Sequence, residues 1–348
     1  MKAYVLHGIN DLRLEEKAIP EMEPDQVLVQ VRAAGICGSD IPRIFQTGTY
    51  SFPTVPGHEF SGVVAEVGAQ ADKSWLGQHV GVFPLIPCMK CGPCRQKAYE
   101  LCRHYSYLGS RTDGGFAEYV AVPQENLVAL PEGGSFEAAA MLEPMAVAVH
   151  AMRLAQAKPG QTVVIYGLGT IGLLLTMFLK EAGIERVLVA GNKDQQRQFA
   201  VMLGVAAEDF CDTRTQELGS WLKERTDGAD VFFECIGKSD TIAEAIDLTA
   251  PLGTVQLVGN PYGDVKLDKA VYWKILRNQL VIRGSWNSSF THEETDDWHY
   301  VLQRLAQKRI EPERLVTHRL SFDELRQGLE IMRDKREEYV KVMVALQK

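Results

Sequence analysis

Apolar and polar positions change rhythm twice along the chain. Over roughly the first 145 residues, short runs such as AYVLHG, QVLVQVRAAGI, GVVAEVG, HVGVFP and FAEYVAVP mix alternating apolar positions with glycine and proline punctuation. That is the period of half-buried strands, and it predicts a small β-barrel or sandwich-like domain whose loops carry its chemistry. From about residue 160 the apolar runs become nearly continuous, in TVVIYG, RVLVAG, DVFFECIG, TVQLVG and LVIRGSW, with longer helical patterns between them. Such alternation predicts a doubly wound domain, a parallel sheet covered by helices on both faces. After residue 285, Thr291 with Glu294 and Ser321 with Glu324 read as capping boxes of two helices. YVKVMVAL reads as a closing strand that returns to the first domain.

A chain of 348 residues with 46% hydrophobic content can bury a core in each of two domains. No internal repeat or low-complexity linker interrupts it. The net charge of −8 argues against a protein built to coat nucleic acid, where a basic face is needed. The amino terminus, MKAYVLHGINDLRLEE, has early acids and no long apolar run, so no signal peptide is expected and the cytoplasm is the expected compartment. The longest apolar stretch, IYGLGTIGLLLTMFL, stops at Lys180 and carries three glycines, which makes it a poor membrane span.

That stretch has another use. Gly167, Gly169 and Gly172, with Thr170 and Ile171 between them, follow a strand and open a helix. The first glycine allows the tight turn, the second lets backbone approach a pyrophosphate, and the third lets helix pack on strand. At the end of the next strand, where an NAD site places Asp or Glu on the ribose hydroxyls, stands Gly191. Asn192, Lys193 and Arg197 follow and suit a 2′-phosphate, so NADP is favoured over NAD. The open alternatives are a solvated helix start for the two cations and a ribose contact from Asp194.

Two groups of candidate metal ligands stand apart. Cys88, Cys91, Cys94 and Cys102 fall within one short stretch of a chain with seven cysteines. Reduced thiols at this spacing can close around a tetrahedral Zn2+ with no position left open, the pattern of a structural site. Cys37 in GICGSD, His58 and Glu59 in PGHEF, and Glu143 in MLEPMAV make a mixed set. Three protein ligands would leave a fourth position for water or substrate, as in catalytic sites. Taken singly, each could be structural. Pro144 disfavours helical backbone at Glu143 and could aim its carboxylate out of a helix.

The order of GICGSD, PGHEFSGVVAEVG, CMKCGPC, DGGFAEY, EPMAVAVHA and GLGTIG resembles the zinc-dependent medium-chain dehydrogenases, and within them the polyol dehydrogenases. The resemblance covers essentially the whole chain. It implies a GroES-like catalytic domain from residues 1–148 and 286–348, a Rossmann domain from 149–285, and an active site in their cleft. It makes Cys37, His58 and Glu143 catalytic zinc ligands, Glu59 a neighbouring carboxylate that tunes or transiently ligates the metal, and the four cysteines the structural site. Ser39 takes the position that passes the substrate proton outward, and Asp40 the one that fixes the metal environment. Gly237, Val258 and Ser285 line the cofactor, and Lys341 reaches its pyrophosphate.

The activity implied is oxidation of a secondary hydroxyl, with hydride passing to the nicotinamide. CGSDIPRIF, GSRTDGGFAEY and GSWN look most like the members that act on sugar-alcohol phosphates, a resemblance that implies a substrate of the galactitol type. The rival substrates are an unphosphorylated polyol, a diol or L-threonine. Arg43 and Arg111 are candidates for the phosphate, because a guanidinium holds it with two hydrogen bonds. Trp286 and Asn287 are candidates for the polyol. The family makes a homodimer or homotetramer the expected assembly, with no nucleic-acid or membrane partner.

Overall fold

The computed structural model describes residues 1–346. They divide into two compact units, one from Met1–Glu143 with the chain from Ser289 onward, the other from Pro144–Ser288. In the first unit, β1 (Lys2–Gly8) and β2 (Asp11–Glu16) pair antiparallel. The long β3 (Gln26–Ile36) is followed by β4 (Glu59–Val67), β5 (His79–Val82), β6 (Leu85–Ile86), β7 (Ser106–Tyr107), β8 (Tyr119–Pro123) and β9 (Leu127–Ala129). Antiparallel pairing runs from β3 through β4 and β5 to β9, while β8 pairs with the first half of β3. Alternate residues of β3, Val27, Val29 and Val31, are buried with Phe60, Val80, Phe116 and Val122 in the core. The small β6–β7 ladder closes the connection that carries the four cysteines.

The second unit is a six-stranded parallel sheet of β10 (Thr162–Tyr166), β11 (Arg186–Gly191), β12 (Phe210–Asp212), β13 (Ala229–Glu234), β14 (Thr249–Leu257) and β15 (Val281–Gly284). Its order is β12-β11-β10-β13-β14-β15. The order reverses between β10 and β13, so ligands are expected at the carboxyl ends of these strands. Val164, Leu188, Phe232 and Val255, one from each of four strands, meet in a core. The apolar runs locate five of the six strands. The missed one, β12, has three residues, too few to show a period.

The chain then re-enters the first unit through β16 (Val316–Ser321) and β17 (Lys341–Ala345). β17 lies parallel to β16 and antiparallel to the second half of β3, completing a seven-stranded sheet. Ser321 and Glu324 do form a capping box ahead of the helix Leu325–Asp334, with Ser321 N–H donating to the Glu324 carboxylate at 2.8 Å. Thr291 and Glu294 do not. That helix begins at Asp297 and is capped by Asp296, which accepts from His299 N–H at 2.8 Å and from Thr291 N–H at 2.9 Å. The carboxylate nearest the free N–H groups wins. Among the described residues, no helix is long and apolar enough to cross a membrane.

Candidate metal centres and cofactor turn

The sulfurs of Cys88, Cys91, Cys94 and Cys102 all lie within 4.8 Å of one another. Their individual separations include 3.4 Å for Cys91–Cys94, 3.9 Å for Cys91–Cys102 and 4.0 Å for Cys88–Cys94. A disulfide needs about 2 Å between sulfurs. Four thiolates at the usual Zn–S distance stand about 3.8 Å apart along the edges of their tetrahedron, which these values bracket. Backbone N–H groups of Arg103 and Cys94 point at Cys91 and draw its thiol down to about 6, whereas burial pushes Cys94 up to about 12. The loop thus prepares one thiolate before any ion arrives.

The mixed set is assembled from distant segments. Cys37 follows the end of β3, His58 and Glu59 stand at the start of β4, and their donor atoms also fall within 4.8 Å of one another. Ser39 cradles the Cys37 sulfur, with Oγ at 3.3 Å and N–H at 3.5 Å. Asp40 is fully buried and ties the set together. Its Oδ2 accepts from Cys37 N–H at 3.0 Å, and its Oδ1 lies 3.3 Å from His58 Nδ1 and 3.4 Å from the Arg43 guanidinium. Burial presses His58 toward neutrality, but Asp40 and Cys37 more than offset this and raise it well above its ordinary value. Acidic and thiol groups around a buried imidazole call for a cation at their centre, and soft sulfur with imidazole suits zinc.

Glu143 stands just outside the Cys37–His58–Glu59 cluster. Burial raises its carboxyl to about 7 despite the opposing field of His58. Its Oε1 accepts from Tyr107 O–H at 3.2 Å, and the Tyr107 ring lies 5.7 Å from that of His58. Pro144 does not expel Glu143 from its helix. Both residues belong to the first turn of Leu142–Ala155, where proline's missing N–H has no partner to lose. Tyr107 was not singled out from the sequence; the signal was its position in YSYLGS, between two motifs that were.

Lys341, which the resemblance associates with the cofactor's pyrophosphate, stands beside this set. It is 2% exposed, with Nζ joined to the Glu59 carboxylate and donating to Ile36 O at 3.1 Å. Removing one member of a buried pair of this kind costs about 3–5 kcal/mol.

In the second unit the glycine-rich turn is shaped for close approach. Gly167 has φ +102° and Gly172 lies against the Gly167 carbonyl, where any side chain would collide. Around Gly169 the space is open, and it heads the helix Thr170–Glu181 without a side-chain cap. An uncapped helix start after a strand fits a phosphate. The other expected cofactor residues sit at strand ends of the same sheet. Gly237, with φ +81°, donates to Glu234 at 2.9 Å, Val258 N–H donates to Glu234 O at 2.8 Å, and Ser285 N–H to Leu257 O at 2.9 Å.

Beside Gly191, Gln196 Oε1 accepts from Asn192 N–H at 2.8 Å, and Arg197 stacks 5.2 Å from the Phe210 ring. Asp194 does not point free. Arg214, which sequence reasoning passed over, binds it at 2.5 Å and Asp212 at 2.6 Å. Asp212 sits across the sheet from Gly191, so the pairing of β11 and β12 brings Arg214 to this corner.

The two arginine candidates differ. Arg43 is engaged by Asp40, whereas the Arg111 guanidinium lies 3.8 Å from the Tyr50 ring and 4.6 Å from the Tyr105 ring, its buried Nε without a hydrogen-bond partner. Trp286 is exposed, and Asn287 Oδ1 accepts from Ser288 N–H at 2.9 Å.

Residues 23–132 match the alcohol dehydrogenase GroES-like domain family, and residues 170–307 match the zinc-binding dehydrogenase family. Galactitol 1-phosphate 5-dehydrogenase of Escherichia coli K12 is 34% identical over 332 residues, 94% of this chain and 95% of that one. The crystal structure of galactitol-1-phosphate dehydrogenase from Escherichia coli aligns with a TM-score of 0.91 at 33% identity, covering 99% of this chain and 100% of that chain. A zinc-binding dehydrogenase of Sinorhizobium meliloti 1021 bound to NADP gives 0.89 at 29% identity, over 99% and 98% of the two chains. A short chain alcohol dehydrogenase of Escherichia coli CFT073 complexed with NADH gives 0.91 at 27%, over 99% of each. The fold is therefore a β-rich GroES-like unit with a Rossmann-type parallel sheet.

Proposed function

The chain belongs to the zinc-binding dehydrogenases with an alcohol dehydrogenase GroES-like domain, an NAD(P)-dependent oxidoreductase family, and from that premise we propose that it oxidises a secondary hydroxyl of a sugar-alcohol phosphate to a ketose phosphate. The observation that carries this reading is the buried gathering of Cys37, His58 and Glu59 beside the Tyr107–Glu143 pair. Cys37, His58 and Glu143 would hold a zinc ion, which would supply a Lewis acid for the substrate hydroxyl, and the glycine-rich turn of the second unit would hold a nicotinamide cofactor as hydride acceptor. Ser39 Oγ takes up the hydroxyl proton and passes it to solvent, for which its exposure suits it. Asp40 orients His58 through its 3.3 Å contact, and Tyr107 holds Glu143 in place. The four-cysteine site is structural and takes no part in these steps.

For the phosphate, the stacked Arg111 is a better-supported partner than Arg43, because its Nε has no protein acceptor while Arg43 already serves Asp40. The relative that acts on galactitol 1-phosphate supports the same class of substrate. Steady-state rates on galactitol 1-phosphate and galactitol test it. The ester should be preferred, and Arg111→Ala should raise its KM about 10- to 100-fold, the worth of a charge-assisted contact. Equal efficiency on the two substrates sinks the phosphate claim.

For the cofactor, the absence of a carboxylate at Gly191 and the capture of Asp194 and Asp212 by Arg214 support NADP, with Asn192, Lys193 and Arg197 around its 2′-phosphate. A kcat/KM for NADP at least about tenfold above that for NAD is expected; the reverse ratio overturns the assignment. Reduced metal-binding thiols agree with a cytoplasmic enzyme. A homodimer or homotetramer agrees with the exposed Tyr272, Trp273 and Leu276 on the helix Lys269–Arg277 and with Val281 and Ile282 on the edge strand β15. Light scattering should give a multiple of the chain mass.

A further inference from the structure

Aromatic rings lead outward in single file from the candidate metal centre. The Tyr107 ring lies 5.7 Å from that of His58, and the Tyr105 ring stands edge-on 6.2 Å from that of Tyr107. The file ends on a cation. The Arg111 guanidinium lies over the Tyr105 ring at 4.6 Å and over the Tyr50 ring at 3.8 Å, both within reach of a cation–π contact. Backbone bonds fix the same groups. Arg111 N–H donates to Tyr107 O at 2.9 Å and Tyr50 N–H to Ser110 O at 3.3 Å, while Gly115 N–H donates at 2.8 Å to the carbonyl of Gly57, the residue before His58. A Cβ at Gly109 or Gly114 would collide with that same carbonyl. The turn that carries Arg111 is therefore seated directly on the backbone that leads into His58.

Arg111 is notable for what it lacks. Its Nε is buried without a hydrogen-bond acceptor, and among the described residues its guanidinium meets two rings and no carboxylate. Asp113, the nearest acid in sequence, is engaged elsewhere: its Oδ1 accepts from Val55 N–H at 2.8 Å and its Oδ2 from Lys17 at 2.9 Å. An ionic partner would cancel the field of a partly buried guanidinium and occupy its N–H groups. Tyrosine faces do neither. They hold the plane of the group and leave its edge free for the paired hydrogen bonds that a phosphate accepts. We propose that Tyr50 and Tyr105 are specificity-determining residues: by holding Arg111 in place unpaired, beside the metal centre, they give the enzyme its preference for a phosphate ester over the free polyol. The proposal rests on the phosphate-ester reading above and names the residues that keep its arginine available.

The test is steady-state kinetics on the holoenzyme with galactitol 1-phosphate and galactitol as paired substrates. Tyr50→Ala and Tyr105→Ala should each lower the ester-to-polyol ratio of kcat/KM about three- to tenfold, through the KM of the ester rather than kcat. Tyr50→Phe and Tyr105→Phe keep the rings and should retain the parental ratio. Arg111→Lys keeps the charge without the plane and should lose most of the preference. Inorganic phosphate, added as a competitive inhibitor, should weaken in the two alanine variants by the same factor as the ester. The Tyr50 side chain is 68% exposed and can be cut back without opening the core, so an unchanged ratio in Tyr50→Ala overturns the proposal even if Tyr105→Ala does not fold. An equal loss on both substrates, the mark of a merely structural role, also overturns it, as does a phenylalanine variant that behaves like alanine. A parent with no preference for the ester, or an Arg111→Ala variant that keeps that preference, removes the phosphate reading itself, and the proposal with it.

Discussion

The four-cysteine loop and the group of Cys37, His58, Glu59 and Glu143 are both candidate metal-binding sets in one unit, yet they are built in opposite ways. In the loop, one short connection between β6 and β7 supplies every donor, all are sulfur, and N–H groups of the same loop orient them. In the cluster, the donors come from the ends of two strands and the start of a helix, they are of three kinds, and they are contacted by Asp40, three residues after Cys37, and by Tyr107 and Lys341 from still other segments. A local, uniform set fills its own coordination shell. A distributed, mixed set needs the whole unit folded before it exists, which allows one position to be left open for chemistry.

The largest effect expected from this contrast separates activity from stability. Cys37→Ser should lower kcat by about a thousandfold, the worth of several kcal/mol of transition-state stabilisation, while the melting temperature moves by only a few degrees. Steady-state kinetics beside a thermal melt measure both. A variant that keeps activity would mean that the open site has been placed in the wrong cluster.

Cys91→Ser should do the reverse. Loss of one thiolate opens the closed shell, so metal content should fall by one ion per chain. The melting temperature should drop by roughly 5–10 °C, and turnover should fall only as far as folded enzyme is lost. Elemental analysis together with melting curves decides the matter. Full stability with abolished catalysis would exchange the roles of the two sites.

A smaller difference should appear without any substitution. A chelator reaches an ion with an exchangeable position sooner than one enclosed by four thiolates, so activity should decay several-fold faster than the melting temperature on a shared time course. Identical decay of the two would erase the distinction between open and closed sites.

The same contrast explains what the sequence could disclose. The cysteine loop was legible because its information is local: spacing alone brings four thiols together, and their separations agree with that reading. Most of the longer strands of both units were legible from their periods, whereas β2, β6, β7, β9, β12 and β16 were not, four of these having only two or three residues. Cys37, His58 and Glu143 could be proposed as ligands, with Glu59 a carboxylate beside them, from type and family resemblance, but nothing in their spacing says that β3 and β4 set Cys37, His58 and Glu59 side by side. The contact of Lys341 with Glu59 escaped the sequence for this reason. The two are 282 residues apart in sequence, and only the order β17-β3-β4, with glycine in the middle strand, joins them. Arg214 escaped attention because its relevance depends on the pairing of β12 with β11.

Tyr107 limits how independent the two regions can be. It belongs to β7, half of the ladder that closes the cysteine loop, while its ring faces His58 and its hydroxyl holds Glu143. Burial, with Glu143 and Cys37 nearby, pushes its phenol well above the ordinary value, so it remains a donor at working pH. Tyr107→Phe keeps the ring and the ladder and deletes only the 3.2 Å hydrogen bond, worth about 1 kcal/mol. The expected result is the smallest of the series, a fall of roughly fivefold in kcat/KM with both metal ions retained. In the Cys91→Ser background, where the ladder is already loosened, the same change should cost less than it does in the intact chain, because coupled residues do not add. A double-mutant cycle on kcat/KM measures that difference. Strict additivity would show that the cysteine loop supports folding alone and has no hand in aligning Glu143.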